Sequence, residues 1–161
     1  APAIMIGQSL GANNQKRARE VAFKAALLIF ALITVGAAII YPVRRNLVDV
    51  FADDPKTINE TDIFLQTMLP TLPFFGLFAV ALSVGRGSGH TTFPTGLGMF
   101  RLWGIRIVSG YFMAFVLNVG SIGVWLAIAV SNIIGGIIAI LWIKYGNWAK
   151  AIIKNNKHQN L

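Results

Sequence analysis

No cysteine occurs anywhere in the 161 residues, so neither a disulfide nor a thiolate metal site can hold this chain together. Acidic residues are also scarce, six in all against fourteen lysines and arginines. Charged residues of both signs make up 12 %, where a soluble domain carries roughly 25 %. Too little polar surface remains to cover a water-soluble globule. The histidines, His90 and His158, form no metal cluster, and no nucleophile, base and orienting group stand together, which argues against an enzyme and against a bound cofactor.

What is present is apolar. Hydrophobic residues are 55 % of the chain, the mean hydropathy is +0.65, and four long runs cover residues 21–42, 63–84, 97–119 and 122–143. Each is near the roughly 20 residues that cross about 30 Å of hydrocarbon at 1.5 Å per residue. Period-two alternation is absent from them, and irregular backbone facing lipid would strand N–H and C=O groups at several kcal/mol each, so the runs are helices. The expected fold is an all-α integral membrane protein with transmembrane helices at about residues 15–42, 55–84, 94–119 and 122–145 and a basic tail over 146–161. The net charge of +8 does not point to nucleic acid, because the basic residues sit at the ends of the apolar runs.

Their distribution sets an orientation. Lys16, Arg17, Arg19 and Lys24 precede the first crossing against one Glu20, Arg86 lies between the second and third, and Lys144, Lys150, Lys154 and Lys157 follow the last. The gap after the first run holds Asp49, Asp53, Asp54, Glu60 and Asp62 against Arg44, Arg45 and Lys56, and the turn at Gly120 and Ser121 is uncharged. The positive-inside rule then places both termini in the cytoplasm, and the alternation is consistent only with an even number of crossings.

Locally, residues 1–6 read as the last turns of a helix that begins upstream, closing at Gly7, and the chain as a fragment of a longer one. A polar loop follows from Gly7 to Asn14, with Asn13 or Asn14 capping the next helix. Pro42 is expected to end that helix, and residues 47–51 to form a short helix on the membrane surface. Asp54 caps the second crossing and Pro55 takes its first position, where a missing N–H is harmless. Pro70 and Pro73 interrupt this crossing as a kink, either a hinge or merely tolerated. Residues 86–94 read as a tight turn in which Arg86 bridges the carbonyls that end the helix. Gly135 and Gly136 permit close helix contact, Trp142, Tyr145 and Trp148 make an interfacial belt, and Lys150 onward frays.

Gly7-Gln8-x-x-Gly11-Ala12 would say little alone. With Phe51-x-Asp53-Asp54-Pro55, Gly85-Arg86-Gly87-Ser88-Gly89, Arg101-Leu102-Trp103-x-x-Arg106 and Gly123-Val124-Trp125 in this order, the chain resembles the second half of MATE transporters, the multidrug and toxic compound extrusion family. The resemblance covers essentially the whole chain. It implies twelve helices in two six-helix lobes around a central cavity, with this chain running from the close of helix 8 through helix 12. It implies a multi-pass protein of the cell (plasma or inner) membrane, partnered by lipid and the remaining helices of the transporter. The function implied is export of organic cations or metabolites by antiport with sodium ions or protons. A lipid-linked oligosaccharide flippase of the same superfamily, or a free-standing four-helix protein acting as an oligomer, are the alternatives.

Arg106 is the sharpest candidate, roughly 13 Å along its helix from Leu97, where a charge needs a partner, water, or a route to the headgroups. Arg101 is a second cavity candidate, with an interfacial place as the favoured reading of it. Gln66, Asn118 and Asn132 are polar groups in or near the apolar runs, serving either a cavity or helix-to-helix contact. Phe74, Phe75, Phe78, Phe100, Phe112 and Phe115 face either lipid or a flat cation. No carboxylate lies within the four runs, so the site for the coupling ion, sodium or proton, is expected upstream of this piece.

Overall fold

A computed structural model describes residues 2–150, and among them every regular element is helical. The chain forms α1 (Pro2–Gly11), α2 (Gln15–Phe51) and α3 (Pro55–Met68), a 3-10 turn (Leu69–Thr71), and α4 (Leu72–Ser88). The third span then runs over Thr92–Val116 as α5 (Thr92–Met99), a π segment (Phe100–Ile107), α6 (Val108–Tyr111) and a second π segment (Phe112–Val116), before α7 (Ser121–Tyr145). Four helical stretches are long and apolar enough to cross a membrane, Gln15–Phe51, Pro55–Ser88, Thr92–Val116 and Ser121–Tyr145, as expected. The tail expected to fray lies, from residue 151 on, outside the described residues, as does Ala1.

Several boundaries differ from the expectation. The stub is longer, since α1 continues through Gly7 and Gln8 to Gly11, leaving only Ala12, Asn13 and Asn14 as the turn, with Asn13 at a φ of 56°. Asn14 caps α2 through its side chain, which accepts from Arg17 N–H at 3.0 Å. Pro42 does not end α2, and the surface helix at residues 47–51 is simply the last turn of it. Proline removes a donor only from the carbonyl four residues before it. Next to the proline itself the Arg44 Nη1 group donates to Tyr41 O at 2.8 Å, and Arg44 Nε lies 2.9 Å from Asp62 Oδ1 of α3, an ion pair that ties the continued helix down. Asp62, counted above as a loop carboxylate, is thus buried against its partner.

At the other end of the second crossing the helix persists to Ser88 and closes on Gly89, whose φ of 79° is a left-handed C-cap that a glycine adopts without strain. Arg86 is exposed and does not bridge the terminal carbonyls. Among the described residues Ser88 Oγ donates to Gly85 O instead, at 3.4 Å. Pro94 stands in the first turn of α5, so the turn read over residues 86–94 narrows to Gly89, His90 and Thr91.

The core gathers where α1, α2, α4 and α7 meet, around Ile6, Leu10, Val84 and Ile143. On α2 the buried stripe is Ala18, Ala22 and Ala26, small side chains one turn apart that let backbones approach. Gly136 of α7 takes this further, since a Cβ there would lie 2.5 Å from Phe74 O of α4. Trp148 is not part of an interfacial belt. It is 1 % exposed, donates Nε1–H to Ile143 O at 3.0 Å, and carries Arg19 of α2 over its ring, while Tyr145 stays exposed. Arg19 also donates to Lys144 O and Gly146 O, completing the carbonyl end of α7. The basic ends of α2 and α7 are therefore joined on one side, and Ser121 Oγ donates to Glu60 on the opposite, acidic side.

Candidate functional site

Arg101 and Arg106 are five residues apart. In an α-helix that spacing turns the chain through 500°, leaving the two side chains about 140° apart. The stretch Phe100–Ile107 instead follows the wider π pattern, whose i to i+5 bonding stacks residue 106 over residue 101. Both guanidiniums therefore turn toward α7. Arg101 Nη1 donates to Asn132 Oδ1 at 3.2 Å, and Arg106 reaches the same oxygen through Nη2 at 3.5 Å and Ser131 Oγ through Nε at 3.4 Å. The two Arg106 contacts are long for hydrogen bonds, so it is held more loosely than Arg101.

Arg101 is not interfacial, which corrects the reading of it above. It is 4 % exposed, with its guanidinium carbon 4.4 Å from the Phe78 ring centroid and 5.2 Å from that of Phe75. The π-faces stabilise a charge withdrawn from water. Two of the six phenylalanines singled out as facing lipid or a foreign cation thus face a cation of the protein itself, and Phe100, Phe112 and Phe115 are exposed. Room for the Arg101 stem comes from Gly135, where a Cβ would stand 2.5 Å from Arg101 Cδ.

Asn132 is 4 % exposed and its amide also donates to Thr71 Oγ1, at 3.4 Å. Thr71 closes the 3-10 turn that contains Pro70, two residues before Pro73, and its hydroxyl donates to Met68 O at 2.9 Å. The proline break accordingly does more than kink a helix, because it carries a hydroxyl into contact with the amide that both arginines share. Beside Pro70 and Pro73 on the α2 side opens an apolar cavity of about 300 Å³, lined also by Ala38, Tyr41 and Leu69.

The remaining candidates do not join this cluster. Gln66 is exposed on α3, and Asn118 is exposed in the loop after the third span with a φ of 54°, so neither bridges helices here. Gly7 and Gly87, from two separate motifs, pack together, since a Cβ on Gly7 would lie 3.3 Å from Gly87 O while one on Gly87 would meet the backbone of Ala3. Gln8 borders a small cleft between α1 and α2, Gly11 has open space around it, and Gly89 serves as the cap already described. Among the described residues no group of histidine and carboxylate side chains could hold a metal ion.

The MatE family model matches residues 1–112, which takes in α1 through α6 and both arginines. The chain belongs to the MatE family. Among curated relatives of this MatE chain, Protein DETOXIFICATION 8 of Arabidopsis thaliana is 25 % identical over 96 % of it. The probable multidrug resistance protein NorM of Neisseria meningitidis serogroup B is 30 % identical over 88 %, and the probable multidrug resistance protein YoeA of Bacillus subtilis is 26 % identical over 89 %. The MatE chain spans about a third of the length of these relatives, 32 %, 31 % and 32 % in turn. With its four crossings it is a multi-pass protein of the plasma membrane.

Sequence reasoning found Arg106 and Asn132 because each is polar inside an apolar run. It missed Ser131 and Thr71, whose small hydroxyls are ordinary in membrane helices, and it read Arg101 as interfacial because a long basic side chain near a helix end can reach the headgroups.

Proposed function

We propose that this chain serves a multidrug and toxic compound exporter that moves organic cations or metabolites out of the cell by antiport with sodium ions or protons. The observation that carries the proposal is the MatE match over residues 1–112, together with relatives named multidrug resistance proteins. The same match favours an exporter over an oligosaccharide flippase, and MatE proteins are transporters rather than enzymes.

Within this reading the chain contributes a packed bundle of helices whose movable parts are the proline break at Pro70 and Pro73 and the loosely held Arg106. Asp62, the acidic side chain closest in sequence to the second apolar run, pairs with Arg44, which supports a coupling carboxylate on other helices of the transporter. An accumulation assay in cells expressing the full-length protein tests the reading. Expression should lower steady-state uptake of a fluorescent organic cation such as ethidium, and collapsing the proton and sodium gradients should abolish the difference. Equal accumulation with and without the protein, at confirmed membrane levels, would refute it.

A further inference from the structure

We propose that Arg101, Arg106 and Asn132 form a binding site for a single oxyanion, a phosphate or carboxylate group, inside this bundle. Two guanidiniums converge on one neutral acceptor, Asn132 Oδ1, at 3.2 and 3.5 Å. Among the described residues the ion pairs are Lys24–Glu20 and Arg44–Asp62, and neither touches this cluster. A buried guanidinium beside a second, half-buried one, with no counter-charge among the described residues, is unfavourable, whereas an anion between them would satisfy both.

A second, independent observation comes from the buried side. Arg101 is 96 % buried by its 4 % exposure, and its Nε–H finds no hydrogen-bond partner among the described residues. A buried arginine donor is rarely left empty, and the planar fork of a guanidinium suits an oxyanion. The π segment explains why the site exists at all. It costs helical regularity, and its effect is to place residues 101 and 106 on one face. Arg101 is fixed by Phe75, Phe78 and Gly135, while Arg106 is half-exposed with stretched bonds, so Arg106 is the arm free to close on a ligand.

Such a group could arrive dissolved in water or on an anionic lipid. The test uses the full-length protein, reading its thermal midpoint in two settings: in neutral detergent with and without millimolar sodium phosphate at fixed ionic strength, and in nanodiscs of phosphatidylcholine with and without phosphatidylglycerol. Phosphate should raise the midpoint of the wild type by a few degrees and leave R106Q unmoved. A rise confined to phosphatidylglycerol nanodiscs and lost in R106Q would equally support the site and assign it to a lipid headgroup. No rise in either setting, or the same rise in R106Q, would overturn it and leave the arginines to a carboxylate elsewhere in the protein. Should R106Q fail to fold, R106K keeps the charge without the fork and is expected to lose most of the rise. Binding is read here without transport, so its failure leaves the export proposal standing and a failed export assay leaves this one intact.

Discussion

Asn132 carries more of the polar interior than any residue type would suggest, since its amide meets Arg101, Arg106 and Thr71 at once. Replacing it with leucine removes the acceptor while leaving the guanidinium of Arg101 buried, which costs about 2–3 kcal/mol and should appear as a lower thermal midpoint. Asn132→Asp should do the reverse, because a carboxylate between two guanidiniums forms charge-assisted bonds, and a lowered midpoint in that variant would sink the account of a charge-starved cluster. Glycines make a second residue-scale contrast. Gly136→Ala puts a Cβ 2.5 Å from Phe74 O and must push α4 and α7 apart, whereas Gly96→Ala meets nothing within 4 Å. Folded yield from the membrane should fall for the first and hold for the second. Arg106 and Asn132 were legible as polar residues in apolar runs, while Gly135 was legible only as a small residue and not as the slot for an arginine stem.

At the scale of elements, local sequence set the caps and tertiary contacts set the lengths. Asp54 receives Thr57 Oγ1–H at 2.7 Å and Thr57 N–H at 2.9 Å, and these bonds hold its carboxyl below the usual carboxylate range, with the hydroxyl the larger cause. A carboxyl whose pKa is lower folded than unfolded contributes stability above the unfolded value and loses it as pH falls toward the folded one. Wild type should therefore melt above Asp54→Asn at neutral pH, with the gap closing in acid below the ordinary carboxylate range. A gap that persists unchanged would mean that the cap does not depend on charge. Pro42 shows the opposite case, in which a local breaker is overruled because Arg44 bonds Tyr41 O and pairs with Asp62. The π segments escape sequence reading altogether, since nothing in Phe100–Ile107 forbids an α-helix, and there the wider turn accompanies the contacts of both arginines with Asn132 and Ser131.

For the whole molecule, topology is directly measurable by cysteine labelling in a full-length protein freed of any other cysteine, since these 161 residues contribute none. Single cysteines at Gly120 or Asp53 should react with a membrane-impermeant maleimide added to intact cells, and one at His90 should react only after permeabilisation. Labelling of His90 from outside would invert the orientation. The number of crossings, their helical character and the clustering of basic and acidic ends follow from the sequence by itself, because lipid tolerates no unpaired backbone and no casual charge, so apolar length and charge placement leave one arrangement. Which polar side chains meet was decided only by the tertiary structure. Thr71, Arg101, Arg106, Ser131 and Asn132 come from three separate stretches, and their meeting depends on a 3-10 turn, a π segment and two glycines, Gly135 making room for the Arg101 stem and Gly136 letting the backbones of α4 and α7 close to contact, none of which is written in the hydropathy of the chain.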